Sequence, residues 1–173
     1  MIELGDVVAA TDSSERGAKA VVTGAACARR ADAELAILSV VEALLPPLRP
    51  ETAQWLDEHT EETRREVEEQ ARQARAEHAP VHIAQGLAAP VIAEKVQELG
   101  ADLLVVGAHP QPAVSRFLLG STTERLVRLV SCPLLVTTEE RTDPFERVLV
   151  AVDLSPQSRD VLEQALAIAT AAT

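Results

Sequence analysis

The sequence of 173 residues predicts an α/β protein with a doubly wound, five-stranded parallel sheet and an additional C-terminal strand–helix (βα) unit. Two observations predict it. Short apolar runs without charges recur along the chain, and longer segments with helical patterning separate them. Strands that are apolar throughout are buried on both faces, which is typical of a parallel sheet covered by helices on each side.

The elements follow in order along the chain. The predicted strands are the apolar runs at residues 6–11, 35–41, 81–84, 103–106 and 134–137. The predicted helices between them lie at residues 15–30, 52–78, 90–99 and 122–130. Three prolines make residues 42–51 a connection. The alternating charges of the second helix predict a solvated face, and Pro90 and Gly100 stand where the third helix should begin and end.

The strand–turn–helix pattern of the first residues recurs near the end of the sequence. Residues 147–155 resemble the first strand at an offset of 141 residues, which aligns Asp12 with Asp153 and Ser14 with Ser155. We interpret this as the opening of a tandem repeat. The alternative is a chance match between two generic strand–turn–helix segments.

The repeat predicts the domain organisation. We expect one complete domain at residues 1–140, and a linker with the first strand and helix of a truncated second copy at residues 141–173. A βα unit alone cannot bury both of its faces, so this C-terminal segment needs a host surface.

Composition excludes several classes of function. Sixteen basic against 27 acidic residues give a net charge of −11 without a basic cluster, which disfavours binding to nucleic acid or to an anionic membrane. The apolar runs are too short to span a bilayer, and no secretory signal is visible, so we expect a cytoplasmic protein. Cys27 and Cys132 are most simply buried small hydrophobes, and the four histidines lack the spacing of metal ligands.

Residues 107–122 form the segment with the clearest chemical character. The segment runs from the carboxyl end of a predicted parallel strand to the start of a helix, which is where ligands bind in open α/β sheets. Gly120 would let backbone N–H groups approach an anion, and Ser121 would add a hydroxyl donor at the helix N-terminus. This predicts a phosphate cradle. The alternative is a capping box without a ligand, with Ser121 as N-cap and Glu124 three residues later.

Taken together, these motifs resemble the universal stress protein family over residues 3–138 and again over 147–170. The resemblance rests on the first strand ending in Asp12 and on the apolar fourth strand with its flanks. It also rests on the segment around Gly120 and Ser121 and on the Cys-Pro-Leu-Leu-Val last strand. It implies the family's adenine-nucleotide α-hydrolase-like fold and a regulatory role in the stress response that does not depend on catalysis.

The nucleotide-binding branch of the family carries a glycine, two residues, a glycine, nine residues, a third glycine and then serine or threonine. Gly107, Gly120 and Ser121 match this pattern, whereas Pro110 stands at the second glycine. The resemblance therefore implies ATP or another adenine nucleotide as ligand, with Mg²⁺ accompanying ATP. The implied ligand-contacting residues are Thr11, Asp12, Val40, Gly107, His109, Gly120, Ser121 and Thr122.

Three alternatives stay open at this point. Asp12 is equally well explained as a cap or turn carboxylate before its helix, and His109 as a solvated loop residue. Proline has no N–H to donate to a phosphate, so Pro110 allows a second function: a dimeric interaction module whose nucleotide site has decayed. The resemblance also implies a homodimer formed through the last strand, an apolar edge.

Overall fold

The structure is a computed structural model that describes residues 4–43, 50–108 and 121–170. The five strands are β1 (Asp6–Thr11), β2 (Glu34–Glu42), β3 (Val81–Gly86), β4 (Leu103–Gly107) and β5 (Leu134–Thr137). All neighbouring strands pair in parallel, in the order β3-β2-β1-β4-β5. The predicted doubly wound parallel sheet is therefore confirmed, with β1 at its centre.

Helices cover both faces of this sheet. They are α1 (Glu15–Ala31), α2 (Pro50–Gln73), α3 (Ala88–Glu98), α4 (Ser121–Leu129) and α5 (Ser158–Thr170). Neighbouring residues of β2 show the two faces: Ile37 packs with Val21 of α1 and Val67 of α2, whereas Leu38 packs with Ile92 of α3 and Leu126 of α4. Because successive strand side chains point to opposite faces, an apolar strand can fill both layers of the core.

Helix ends differ from the predicted ends by a few residues. α2 ends at Gln73, five residues early, and Arg75 then adopts a left-handed φ of 55°, which cannot continue a right-handed helix. α3 begins at Ala88, two residues before Pro90. Pro90 is tolerated in the first helical turn because N–H groups there have no partner in the helix, so proline costs no helical hydrogen bond. α4 begins at Ser121, one residue before the predicted start at residue 122.

The predicted sixth strand, within residues 147–152, is wrong, whereas its helix is confirmed as α5. Residues 147–153 pair with no strand among the described residues, and Leu149 is 97% exposed. An apolar run becomes a strand only where a neighbouring strand can pair with it. The end of α5 does find a host surface: Ala167 is buried, and Ile168 packs against the cluster that contains Leu4 and Cys27.

Asp102, the residue before β4, is hydrogen-bonded to the backbone at the beginning of β1. Its Oδ2 accepts hydrogen bonds from the backbone N–H groups of Gly5 at 2.8 Å and Asp6 at 3.1 Å. We expect Asp102→Ala to lower the free energy of unfolding by about 1–2 kcal/mol, because two N–H groups lose a charged acceptor. Urea denaturation measures this, with Asp102→Asn as the control that keeps one acceptor oxygen. Equal stability of Asp102→Ala and the wild type would contradict the assignment.

Candidate functional site

A cleft of about 500 Å³ opens at the carboxyl ends of β1, β2 and β4. Its apolar wall consists of Ala10, Val40, Ala88, Ile92, Val106 and Leu126. Its polar and small lining residues are Thr11, Asp12, Arg16, Gly17, Glu42, Gly107, Ala108, Ser121, Thr122 and Thr123. Helices α3 and α4 contribute from one face of the sheet and the first turn of α1 from the other. The volume and mixed lining suit a small organic ligand with a polar end.

Asp12 lies in a tight turn that links β1 to α1. Its Oδ1 accepts hydrogen bonds from the Ser14 N–H at 3.1 Å and from the Ser14 hydroxyl. Ser14 is the N-cap of α1, and its hydroxyl accepts from the Gly17 N–H at 3.2 Å. Asp12 is thus a turn carboxylate that positions the capping serine, and it also lines the cleft. The structural role of Asp12 in the turn is compatible with ligand contact, because a single carboxylate oxygen, Oδ1, accepts both hydrogen bonds from Ser14.

Thr11 supports the floor of the cleft from below. Its buried hydroxyl donates to Oε1 of Gln70 at 2.8 Å and accepts from the Ser13 N–H at 3.1 Å. The Gln70 amide in turn donates to the Ser14 carbonyl at 3.2 Å. This network ties α2 to the β1–α1 turn, where Ser13 adopts a left-handed φ of 63°. Thr11 therefore shapes the site, with its hydroxyl proton committed to Gln70.

Two glycines allow α1 to begin close to the strand ends. A Cβ at Gly17 would lie 2.9 Å from the Asp12 backbone nitrogen, and one at Gly107 would lie 2.8 Å from the Arg16 carbonyl carbon. Real Cβ atoms essentially never come this close to backbone atoms. Gly107 is therefore required by packing against α1, independently of any ligand.

Charge is divided unevenly along the cleft. Glu42 lies at the end of β2, whereas Arg16 packs over the end of β4, and β1 separates these two strands in the sheet. The N-terminus of α4, which has positive partial charge, also lies on the β4 side. That side can accept an anion.

The structure brings most of the predicted site residues together. Those that line the cleft are Thr11, Asp12, Val40, Gly107, Ser121 and Thr122. His109 and Gly120, like Pro110, lie outside the described residues. Arg16 and Glu42 also line the cleft, although they were not among the predicted site residues. Glu42 is the last residue of β2 and Arg16 lies in the first turn of α1, which follows β1. Strand ends and helix starts of this kind meet at the ligand edge of such a sheet.

Neither a cluster of metal ligands nor a membrane-spanning helix is present in the described segments. Among those segments, no group of three or more His, Cys, Asp or Glu side chains is arranged to hold a metal ion. None of the helices described is both long and apolar enough to cross a membrane.

The sequence is similar to those of proteins of one known family. The model of the universal stress protein family matches residues 4–138. A Staphylococcus epidermidis protein whose name places it among the universal stress proteins is 28% identical over 166 residues, covering 92% of this chain and 100% of that protein.

Solved structures show the same fold. The universal stress protein UspA from Lactobacillus plantarum is 26% identical, with a TM-score of 0.61 over 79% of this chain and 99% of that chain. A universal stress protein solved in complex with cAMP is 24% identical, with a TM-score of 0.64 over 80% and 99% of the two chains. One from Archaeoglobus fulgidus is 19% identical, with a TM-score of 0.76 over 99% of this chain and 65% of that chain. With its matching domain, parallel sheet and cleft, this chain belongs to the universal stress protein family.

Proposed function

We propose that the protein is a regulatory module of the stress response that binds ATP or another adenine nucleotide in the cleft above β1, β2 and β4. The observation that carries this proposal is the convergence of Asp12, Val40, Gly107 and Ser121 around one cavity of about 500 Å³. A family member of the same fold was solved with cAMP, which supports an adenine nucleotide as the ligand class.

The lining suggests how such a ligand would lie. The flat aromatic faces of the adenine ring suit the wall formed by Val40 and Ile92, on the side of β2 and α3. Phosphates suit the side of β4, where Ser121 and Thr122 offer hydroxyl donors at the N-terminus of α4. With ATP as ligand, Mg²⁺ would arrive on the phosphates, since the described residues hold no preformed metal site.

We propose binding without dedicated turnover. The Asp12 carboxylate accepts two hydrogen bonds within its own turn, which favours a structural and ligand-orienting role over proton transfer. Slow hydrolysis of ATP is compatible with the proposal. We also place the protein in the cytoplasm, where ATP is abundant.

Release of a carried ligand tests the proposed function. The purified protein is denatured with acid, and the supernatant is chromatographed for nucleotides. We expect adenine nucleotide in near-stoichiometric amount, or, if the protein is purified empty, a rise in melting temperature on adding ATP. No released nucleotide together with no shift by ATP would contradict the proposal and would favour the second candidate.

The second candidate is an interaction module that acts as a homodimer with an inactive nucleotide site. Pro110 in place of the motif glycine is one reason to consider it. Apolar side chains on α5 are another, since Leu162 is 50% exposed and Leu166 is 60% exposed. In addition, β5 pairs only with β4 among the described strands, so its outer edge is open to another chain.

We therefore expect a homodimer or larger oligomer at micromolar concentration. Deleting residues 141–173 should change the size or stability of that assembly, because the deletion removes the exposed apolar surface of α5. Light scattering on the full chain and on the truncated chain measures both. A monomeric full chain, or two chains that assemble identically, would contradict this expectation.

We also propose that residues 147–170 derive from the first βα unit of a second copy. The Asp153–Ser155 turn supports this through the same geometry as Asp12–Ser14. Leu154 has a φ of 62° where Ser13 has 63°, and Asp153 accepts from the Ser155 N–H at 2.9 Å. Hydrogen bonds from Ser155 and Ser158 lower the pKa of Asp153 to about 2, so this carboxylate stays charged as the turn requires.

A further inference from the structure

Arg16 lines the cleft where the start of α1 packs on the end of β4. It lies in the first turn of α1, is half-buried and lines the cavity. Its backbone packs on Gly107, where an added Cβ would lie 3.4 Å from the Arg16 Cβ. The arginine side chain therefore starts directly above the end of β4, on the side of the cleft that also holds Ala108 and Ser121.

Arg16 differs in the sign of its charge from the acidic residues of the described lining. Among the lining residues that the structure describes, Arg16 is the one cation, and Asp12 and Glu42 are the anions. Glu42 follows β2, on the opposite side of β1 from β4. The backbone and Cβ of Arg16 and the N-terminus of α4 thus lie on the β4 side, and an arginine and a helix N-terminus both favour a phosphate.

We propose that Arg16 is the residue through which the cleft distinguishes phosphorylated adenine nucleotides from adenosine. The proposal rests on the nucleotide binding proposed above and adds a specificity-determining residue to it. A guanidinium can donate two parallel hydrogen bonds to one phosphate, whereas an uncharged nucleoside gains nothing from it. Glu42 and Asp12 repel a phosphate, so Arg16 is the one described lining side chain whose charge attracts it.

Calorimetric titration with adenosine, AMP and ATP tests this in the wild type and in Arg16→Gln. In the wild type we expect ATP to bind at least tenfold more tightly than adenosine. In Arg16→Gln we expect the affinity for ATP to fall about tenfold, as the loss of a charge-assisted hydrogen bond implies, while adenosine binding changes less than about twofold. Added salt should weaken ATP binding more in the wild type than in the variant.

Two variants serve as controls. Lys19→Gln removes the same charge three residues further along α1, where the lysine Nζ donates to the Thr138 carbonyl at 3.4 Å, and we expect it to leave the ATP affinity within about twofold. Arg16→Lys keeps the charge without the bidentate geometry and should recover part of the ATP affinity. Circular dichroism and melting temperature verify that each variant is folded, and Arg16→Lys keeps the test decisive if Arg16→Gln does not fold.

The outcomes separate this inference from the proposed function. If the wild type binds none of the three compounds, both fail. If the wild type binds adenosine and ATP equally well, the cleft binds adenine but the role of Arg16 is overturned. If Arg16→Gln loses adenosine and ATP to the same extent, or Lys19→Gln weakens ATP as much as Arg16→Gln does, Arg16 has no specific contact with phosphate.

Discussion

Replacing Gly107 with alanine is expected to destabilise the protein by about 1–3 kcal/mol and to weaken adenine-nucleotide binding at least tenfold. The added Cβ would lie 2.8 Å from the carbonyl carbon of Arg16 and closer still to its oxygen. Both are backbone atoms, so a rotamer change cannot relieve the overlap. The first turn of α1 must move away from β4, and Arg16 and the Asp12 turn would move with it.

The comparison with Gly100→Ala separates stability from site geometry. Gly100 has a φ of 65°, and a Cβ there would meet nothing within 4 Å. Alanine at position 100 should therefore cost roughly 1–2 kcal/mol of backbone strain and leave nucleotide affinity unchanged. Urea denaturation and calorimetric titration measure both effects. Wild-type affinity in a folded Gly107→Ala variant would contradict the packing of α1 against β4 as the basis of the site.

Replacing Leu104 with alanine is expected to lower the free energy of unfolding by about 2–5 kcal/mol. Leu104 is fully buried in β4, between Val8 of β1 and Leu134 of β5. Its side chain belongs to the core cluster shared with Ile92 of α3 and Leu126 of α4. The loss would leave a cavity that strands and helices on all sides hold open.

Chemical denaturation checks this against Leu129→Ala on α4. Leu129 is 52% exposed, so its truncation should change stability by less than about 1 kcal/mol. A small effect at Leu104, comparable with that at Leu129, would mean that the sheet does not separate two packed layers at β4.

The sheet was predictable because its strands are apolar at successive positions, a pattern that is visible in the sequence without knowledge of the neighbouring strands. Leu103 and Leu104 point to opposite faces, and both are fully buried, so an apolar residue is required at every position. The segment at residues 147–152 has the same composition but pairs with no described strand. Strand formation there depends on a neighbour that the sequence pattern does not specify, which is why the prediction of a sixth strand was wrong.

Site residues were predictable from the sequence where a turn or close backbone packing requires one residue type. Asp12 and Gly107 stand at strand ends, and each is required by the turn or by close packing. Arg16 and Glu42 lack such a signal, since charged residues at exposed helix starts and strand ends are common. Their significance comes from strand order, which places β1 between the strand that ends at Glu42 and the strand that Arg16 packs on.

The backbone amide NMR spectrum of the protein during titration with ATP tests directly whether adenine nucleotide binds in the cleft. We expect shifts of the amide signals at Asp12, Val40, Gly107 and Thr122, which line one cleft. A second and more charged groove, lined by Arg64, Glu68, Arg72 and Glu77, provides the comparison within the same spectrum. Shifts confined to the cleft would support adenine-nucleotide binding there, whereas shifts confined to the charged groove, or none at saturating ATP, would contradict it.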